Sequence, residues 1–234
     1  MKNNLIKYLT EFSNLKLTRP ISDKVRCLEI FGVVLTGTGK FVFVDYLNWR
    51  LSFVFVTIIL WSAYVFFRFK KDKHALKDWG FRTDNFKSIS KFLLPFVVIS
   101  MILFWVIGYL QGTINLTWHI IPLLITYPIW GSIQQFLTIA LLAGNLKDLK
   151  AAKINKTLII FITAVFFSII HYPVGWLMAG TFVLALFYGY IYLKVKNIYA
   201  LGIVHGWLGA IFYYTVVNQD PFADVFLKVV NQLL

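Results

Sequence analysis

Four polar side chains lie inside long apolar stretches of this sequence, where helices that span a bilayer would be expected. Gln134 and Gln135 are adjacent in WGSIQQFLTIALLAGNL, His171 ends FFSIIH, and His205 lies in GIVHGWLGAIFYY. An unpaired polar group costs several kcal/mol in hydrocarbon, so such residues usually face the interior of a bundle and often mark a site. Glutamine and histidine also hydrogen-bond between transmembrane helices, so a purely structural role stays open for each of them.

These residue types differ in the chemistry that they can perform. A neutral imidazole can take up a proton near neutral pH, so either His171 or His205 could act as a general base. A carboxamide can hold a water molecule but is not basic. A two-histidine metal site is conceivable, but catalytic zinc usually has three protein ligands and no third is evident. We therefore expect no metal and no other cofactor.

Few carboxylates could replace a catalytic acid. The two glutamates, Glu11 and Glu29, come before or at the first apolar stretch, and among the aspartates Asp45 comes at a predicted membrane edge. The sequence therefore predicts no carboxylate in the membrane-embedded core. His74 and His119 fall in or near predicted loops, and we expect their side chains to be solvated or interfacial.

The composition is typical of a membrane protein that crosses the bilayer several times. Of the 234 residues, 59% are hydrophobic and 14% are charged, and the mean hydropathy is +0.72. A soluble domain is closer to half apolar. The net charge of +13 could suggest a nucleic-acid partner, but the basic residues cluster between apolar runs, where membrane topology explains them. The bilayer is therefore the expected partner, not nucleic acid.

A helix needs about 20 mainly apolar residues to cross the hydrocarbon. The sequence predicts an all-α transmembrane bundle of about seven spans, with an eighth possible. The predicted spans are 28–46, 50–68, 91–111, 118–145, 157–176, 177–194 and 199–217. The fourth is long for one crossing, and Pro122 and Pro128 predict that its first half is broken or re-entrant.

The positive charges predict the orientation. Twenty of the 23 lysines and arginines fall on one side of the predicted bundle, which should be cytoplasmic and should carry the N-terminus. Residues 1–27 are predicted to form a cytoplasmic amphipathic segment, 28–217 the transmembrane domain, and 218–234 a tail that could cross or stay outside. We expect the protein in the plasma membrane of a bacterium.

The order of the polar motifs resembles the CPBP family, the Abi or CAAX protease and bacteriocin-processing intramembrane proteins. Its pattern is E-E-x-x-x-R, then F-x-x-x-H, then H-x-x-x-N, on three transmembrane helices. QQFLTI replaces the glutamates by Gln134 and Gln135 and the arginine by Ile139. The resemblance covers roughly residues 90–217.

The second motif is met by FSIIH, from Phe167 to His171, and the third is half met by HGWLG. That stretch keeps His205 but has Gly209 where the family has asparagine. The resemblance implies that the first glutamate position activates a water and that the first histidine orients it. It also implies that the last histidine, with the asparagine, stabilises the oxyanion.

The resemblance implies a site of catalytic and substrate-binding positions. The catalytic positions are Gln134, Gln135, His171 and His205, and the substrate or oxyanion region holds Phe167 and Gly209. Because glutamine cannot replace glutamate as a base, we expect an endopeptidase homologue with impaired or absent glutamate-dependent proteolysis that binds peptide or prenylated C-termini. Two alternatives stay open: an active CAAX-type endopeptidase with His171 or His205 as base, and a non-enzymatic immunity, chaperone or lipid-handling protein.

Overall fold

The computed structural model describes residues 21–224, and the ordered elements in that range are helices. This confirms the predicted all-α fold. The eight helices are α1 (Asp23–Tyr46), α2 (Arg50–Lys71), α3 (Ala75–Asp78), α4 (Phe86–Gln111), α5 (Ile120–Asp148), α6 (Lys156–Ile169), α7 (Gly175–Tyr192) and α8 (Ile198–Val217). Most of the predicted 1–27 segment and the end of the predicted 218–234 tail lie outside the described residues.

Six helices are long and apolar enough to cross a membrane: α1, α2, α4, α5, α7 and α8. The predicted fifth span, 157–176, differs from this pattern because α6 has 14 residues. Pro173 has no N–H and cannot continue a helix, and the chain turns before α7 begins at Gly175. The sequence therefore located this helix correctly but overestimated its length.

The predicted break in the fourth span is wrong. Pro122 and Pro128 lie within α5, which runs without interruption through an α-helical part (Ile120–Gln135), a π-helical part (Phe136–Ala143) and a last α-helical turn (Gly144–Asp148). The irregularity of this helix is therefore the wider π turn, which begins directly after the two glutamines. Such turns are frequent at functional sites.

The described chain divides into two compact units. The first unit contains residues up to Arg82 together with 136–197, and the second contains 83–135 and the residues from Ile198 onward. In the first unit, α6 and α7 pack around Ala164, Phe167 and Ala185, which are all fully buried. In the second unit, α4, the first part of α5 and α8 pack together.

Glycines bring α5 and α8 into close contact in the second unit. A β-carbon on Gly202 would collide with Ser132, and one on Gly206 would collide with the backbone between Tyr127 and Pro128. Small residues have this function in membrane bundles, where van der Waals packing replaces the hydrophobic effect as the force between helices. The sequence of α8 therefore fixes how closely it can approach α5.

The proline in the middle of α5 is accommodated by a side chain of α8. Pro128 lacks the N–H that would bond to the carbonyl oxygen of Leu124. The indole Nε1 of Trp207 donates a hydrogen bond to this oxygen instead, at 3.0 Å. A freed backbone carbonyl in hydrocarbon needs such a donor, and this contact explains why α5 continues past the proline.

His119, which was expected to be solvated or interfacial, has a side chain that is 14% exposed and contacts a carboxylate. Its Nδ1 lies 2.5 Å from Asp220 Oδ2, and Asp220 Oδ1 accepts from the Tyr214 hydroxyl at 2.7 Å. Burial would raise the pKa of Asp220, but the hydrogen bonds from His119, Ala223 N–H, Tyr214 and Thr117 outweigh it and lower this pKa to about 2. The segment after α8 is thereby fastened to the loop before α5.

The glycine contacts predict unequal effects of two alanine substitutions in α8. Gly206→Ala should lower the free energy of unfolding by about 3 kcal/mol, because overpacking a close helix contact forces the backbone apart. Gly209→Ala should be tolerated, since a β-carbon there meets only Tyr127 Cδ1, at 3.8 Å. Unfolding of the detergent-solubilised protein measures both. Equal losses of stability would contradict the packing described.

The ion pair at Asp220 predicts a loss of stability in acid. A carboxyl whose pKa falls on folding, here from 3.8 to about 2, stabilises the folded state above its unfolded pKa. This contribution should be present above about pH 4 and should disappear as the pH falls towards 2. Thermal unfolding between pH 2 and 6 tests it, with Asp220→Asn as the comparison. An identical pH dependence in this variant would show that Asp220 makes no such contribution.

Candidate functional site

Gln135 and His205 form a buried pair in the second unit. Gln135 Nε2 lies 2.7 Å from His205 Nδ1, and the two residues are 0% and 9% exposed. Gln135 is the last residue of the first part of α5, and His205 lies in the middle of α8. The structure thus brings two of the predicted site residues into direct contact.

The pairing determines where the imidazole carries its proton. An amide nitrogen can only donate, so His205 Nδ1 accepts and a neutral ring carries its hydrogen on Nε2. Within residues 21–224, the other end of the amide, Gln135 Oε1, is buried without a hydrogen-bond partner. A buried carbonyl oxygen without a donor is costly, so this atom is well suited to accept from a water or a ligand N–H.

The close helix contact makes room for this pair. A β-carbon on Gly131 would lie 2.6 Å from the Gly202 carbonyl oxygen and 3.1 Å from His205 Cδ2. Gly131 precedes Gln135 by four residues and therefore lies on the same face of α5. Its missing side chain lets the imidazole lie against α5, within reach of the amide.

The other predicted residues of the first and third motifs lie nearby in sequence but have different surroundings. Gln134 is partly buried. Ile139, at the position of the family's arginine, is 0% exposed in the π-helical part of α5. Gly209 is one turn after His205, and a β-carbon there would meet Tyr127 Cδ1 at 3.8 Å, an ordinary van der Waals distance, so the position admits a β-carbon.

Phe167 and His171 form a second pair, in the first unit. His171 Nδ1 lies 2.7 Å from the Phe167 carbonyl oxygen, and the rings meet edge to face with centroids 4.9 Å apart. A carbonyl only accepts, so Nδ1 carries the hydrogen and the lone pair of a neutral ring is on Nε2. The two motif histidines therefore have opposite tautomers: Nε2 can accept a proton in His171 and donates in His205.

The prediction that the membrane-embedded core holds no carboxylate is wrong for the first unit. Glu29 is 3% exposed, because α1 begins at Asp23 and places this residue inside the helix. Its carboxylate accepts from Asn145 Nδ2 at 2.5 Å and from the Tyr64 hydroxyl. Arg68 Nη1 lies 3.7 Å from Glu29 Oε1.

A buried arginine extends this network. Arg26 is 5% exposed, and its Nη1 lies 3.1 Å from Asn145 Oδ1 and 3.6 Å from Asp148 Oδ2. Hydrogen-bond donors thus contact both oxygens of Glu29. We interpret the network as an anchor that joins α1, α2 and α5. The spacing of Arg26 and Glu29, three residues apart on one helix face, is the sequence signal that could have revealed it.

Among residues 21–224, no three histidine, cysteine, aspartate or glutamate side chains are grouped as a metal site requires. The described residues therefore offer no cluster to which a catalytic metal could be assigned.

The six long apolar helices define the chain as an integral membrane protein. Residues 113–211 match the family described as "Type II CAAX prenyl endopeptidase Rce1-like". This segment, a little under half of the chain, contains all six predicted site residues. The match supports the resemblance to the CAAX protease family that the motifs indicated. No curated protein and no solved structure matches the chain.

The hydrogen bonds predict the tautomers of the two histidines. In protein labelled with nitrogen-15 histidine, neutral His205 should show its protonated nitrogen at Nε2, and neutral His171 should show it at Nδ1. Gln135→Leu should release the tautomer of His205, because the donor to Nδ1 is lost. Gln134→Leu is the matched control and should leave the His205 signals unchanged. A proton on His205 Nδ1 in the unsubstituted protein would contradict the pairing.

Proposed function

We infer that the protein is a CAAX-protease-like membrane protein that binds peptide or prenylated C-termini, with impaired or absent glutamate-dependent cleavage. The observation that carries this proposal is the buried contact between Gln135 and His205, an uncharged amide paired with an imidazole. The family motif has a carboxylate at this position. The amide keeps the capacity for hydrogen bonding but cannot take a proton from water.

The composition of the matched segment supports the same function. Within residues 113–211, the one acidic residue is Asp148, at the end of α5. Its carboxylate lies 3.6 Å from Arg26 Nη1 and 4.0 Å from Lys196 Nζ. A positioned general base contributes about 10²–10⁴-fold to a rate, and the motif offers none at either glutamate position.

The unpartnered Gln135 Oε1 supports binding in place of cleavage. A peptide in an extended conformation presents backbone N–H groups, and a buried amide oxygen that lacks a donor is their natural acceptor. A neutral site of this kind can hold a peptide bond without activating water to attack it.

A second candidate function, an active endopeptidase with His171 as base, is favoured by one observation. Nδ1 of His171 donates to the Phe167 carbonyl, which leaves the basic lone pair on Nε2. This tautomer is the one that general-base catalysis requires of an imidazole held at Nδ1.

Purified protein in lipid nanodiscs separates the two functions. We expect a fluorescent prenylated CAAX peptide to bind saturably, to be displaced by unlabelled prenylated peptide, and to remain intact over hours in metal-free buffer. Steady release of the C-terminal tripeptide, lost in His171→Ala, would establish the second function and refute the first. Catalytic turnover that persists in His171→Ala would contradict both.

A gain-of-function variant tests the descent of the site from a glutamate protease. Gln134→Glu restores the family's base, and Gly209→Asn restores its oxyanion donor at a position that admits a β-carbon. An oxyanion donor contributes about 10²–10³-fold, so the double variant should cleave faster than Gln134→Glu alone. Gln134→Glu with Gly209→Ala is the matched control, which fills the space without supplying a donor. Equal rates in these two double variants would contradict the role of position 209.

A further inference from the structure

A large groove runs between α1 and α2 in the first unit. Its volume is about 740 Å³, within the range of sites for small molecules. Its walls include four apolar side chains that are each 58–64% exposed: Leu28 and Leu35 of α1, and Leu60 and Phe67 of α2. None of the residues of α2 is buried, and the side chains of α2 that line the groove are therefore accessible from it.

The floor of the groove is polar at defined points. Trp61 Nε1 donates to Thr36 Oγ1 at 3.1 Å, and the Tyr64 hydroxyl donates to Glu29. Together with the contact between Arg68 and Glu29, these side chains join α1 and α2 along the floor of the groove.

The polar rim of the groove is confined to one end. Ser22, Lys71 and Asp72 lie there, where α1 begins and α2 ends, while the walls towards the other end are apolar. This is the side that the charge distribution predicts to be cytoplasmic. The groove is thus an amphipathic site whose polar end coincides with a predicted membrane surface.

Arg68 supplies a strong hydrogen-bonding group at this end. Its side chain is 12% exposed, its Nη1 is 3.7 Å from Glu29 Oε1, and its guanidinium lies 5.6 Å from the centre of the Trp79 ring. The guanidinium also hydrogen-bonds with the Tyr64 hydroxyl. Because it has five N–H donors, these two contacts leave donors for a further acceptor. Lys71 follows three residues later on the same face of α2. The two cations are placed to hold a phosphate.

We propose that this groove is a binding site for a zwitterionic phospholipid that carries a primary ammonium, with its phosphate on Arg68 and Lys71 and an acyl chain along the apolar walls. The proposal goes beyond the function inferred for the motif residues and does not depend on it. The Asp72 carboxylate at the rim, whose Oδ1 accepts from the His74 N–H at 3.0 Å, would accept from the ammonium at Oδ2.

The balance of charge selects this headgroup over an anionic one. The two cations at the polar end, Arg68 and Lys71, are matched by two carboxylates, Glu29 and Asp72. A headgroup with a net negative charge would meet Asp72 without a compensating positive group. Phosphatidylethanolamine carries both charges and three ammonium N–H donors, whereas the choline headgroup has the charge but no N–H.

Native mass spectrometry of the delipidated full-length protein tests this proposal. Phosphatidylethanolamine, phosphatidylcholine and phosphatidylglycerol with identical acyl chains are added in turn. We expect one phosphatidylethanolamine to bind about tenfold more tightly than either of the others, as a charged hydrogen bond allows. Equal binding of the three lipids, or tighter binding of phosphatidylglycerol, would overturn the proposal.

Two matched pairs of variants locate the lipid. Lys71→Ala should weaken binding about tenfold, whereas Lys70→Ala, which removes the same charge from an exposed lysine outside the groove, should not. Leu60→Trp should fill the groove and abolish binding, whereas Ile59→Trp, at an exposed neighbouring position, should leave it intact.

Circular dichroism in lipid-free detergent tests whether each of the four variants is folded. A wall variant that does not fold is replaced by Leu35→Trp, and a rim variant that does not fold is replaced by Asp72→Asn. Equal losses within either pair would overturn the proposal. Displacement of the bound phospholipid by a stoichiometric amount of prenylated peptide would also overturn it, because the groove would then be a peptide site.

Discussion

The need to pair every polar group that enters the hydrocarbon governs this structure. Gln135 Nε2 and His205 Nδ1 meet this need with each other, at 2.7 Å and almost without exposure, whereas Gln135 Oε1 has no partner among residues 21–224. Their contact requires the backbones of α5 and α8 to lie close together, and Gly131, Gly202 and Gly206 make this possible. The same constraint explains why Trp207 donates to the carbonyl that Pro128 leaves without a partner.

The chemistry of the pair follows from its neutrality. A glutamate next to His205 would supply a negative charge and a proton acceptor. Glutamine instead fixes the tautomer of His205 and leaves an amide oxygen, Gln135 Oε1, without a hydrogen-bond donor among residues 21–224. The proposed loss of glutamate-dependent cleavage rests on this neutrality. In the first unit, by contrast, the charged groups around Glu29 are balanced against each other and serve to join helices.

The sequence predicted the helical bundle and the family well, because apolar length and motif order are both local properties of the chain. It could not predict that Gln135, not Gln134, meets His205, since this depends on the rotation of α5 and on glycines of another helix. It placed the start of the first span at residue 28 and therefore missed the burial of Glu29. Likewise, the contact between His119 and Asp220 could not be predicted, because the two residues are 101 positions apart in sequence.

A double-mutant cycle between positions 135 and 205 tests the central claim most directly. The free energy of unfolding is measured for the unsubstituted protein, Gln135→Leu, His205→Leu and the double variant, in the same mixed micelles. The account predicts a coupling energy of about 1 kcal/mol, as for other hydrogen bonds between membrane helices. Effects that add to within about 0.3 kcal/mol would show that the two side chains do not interact and would contradict it.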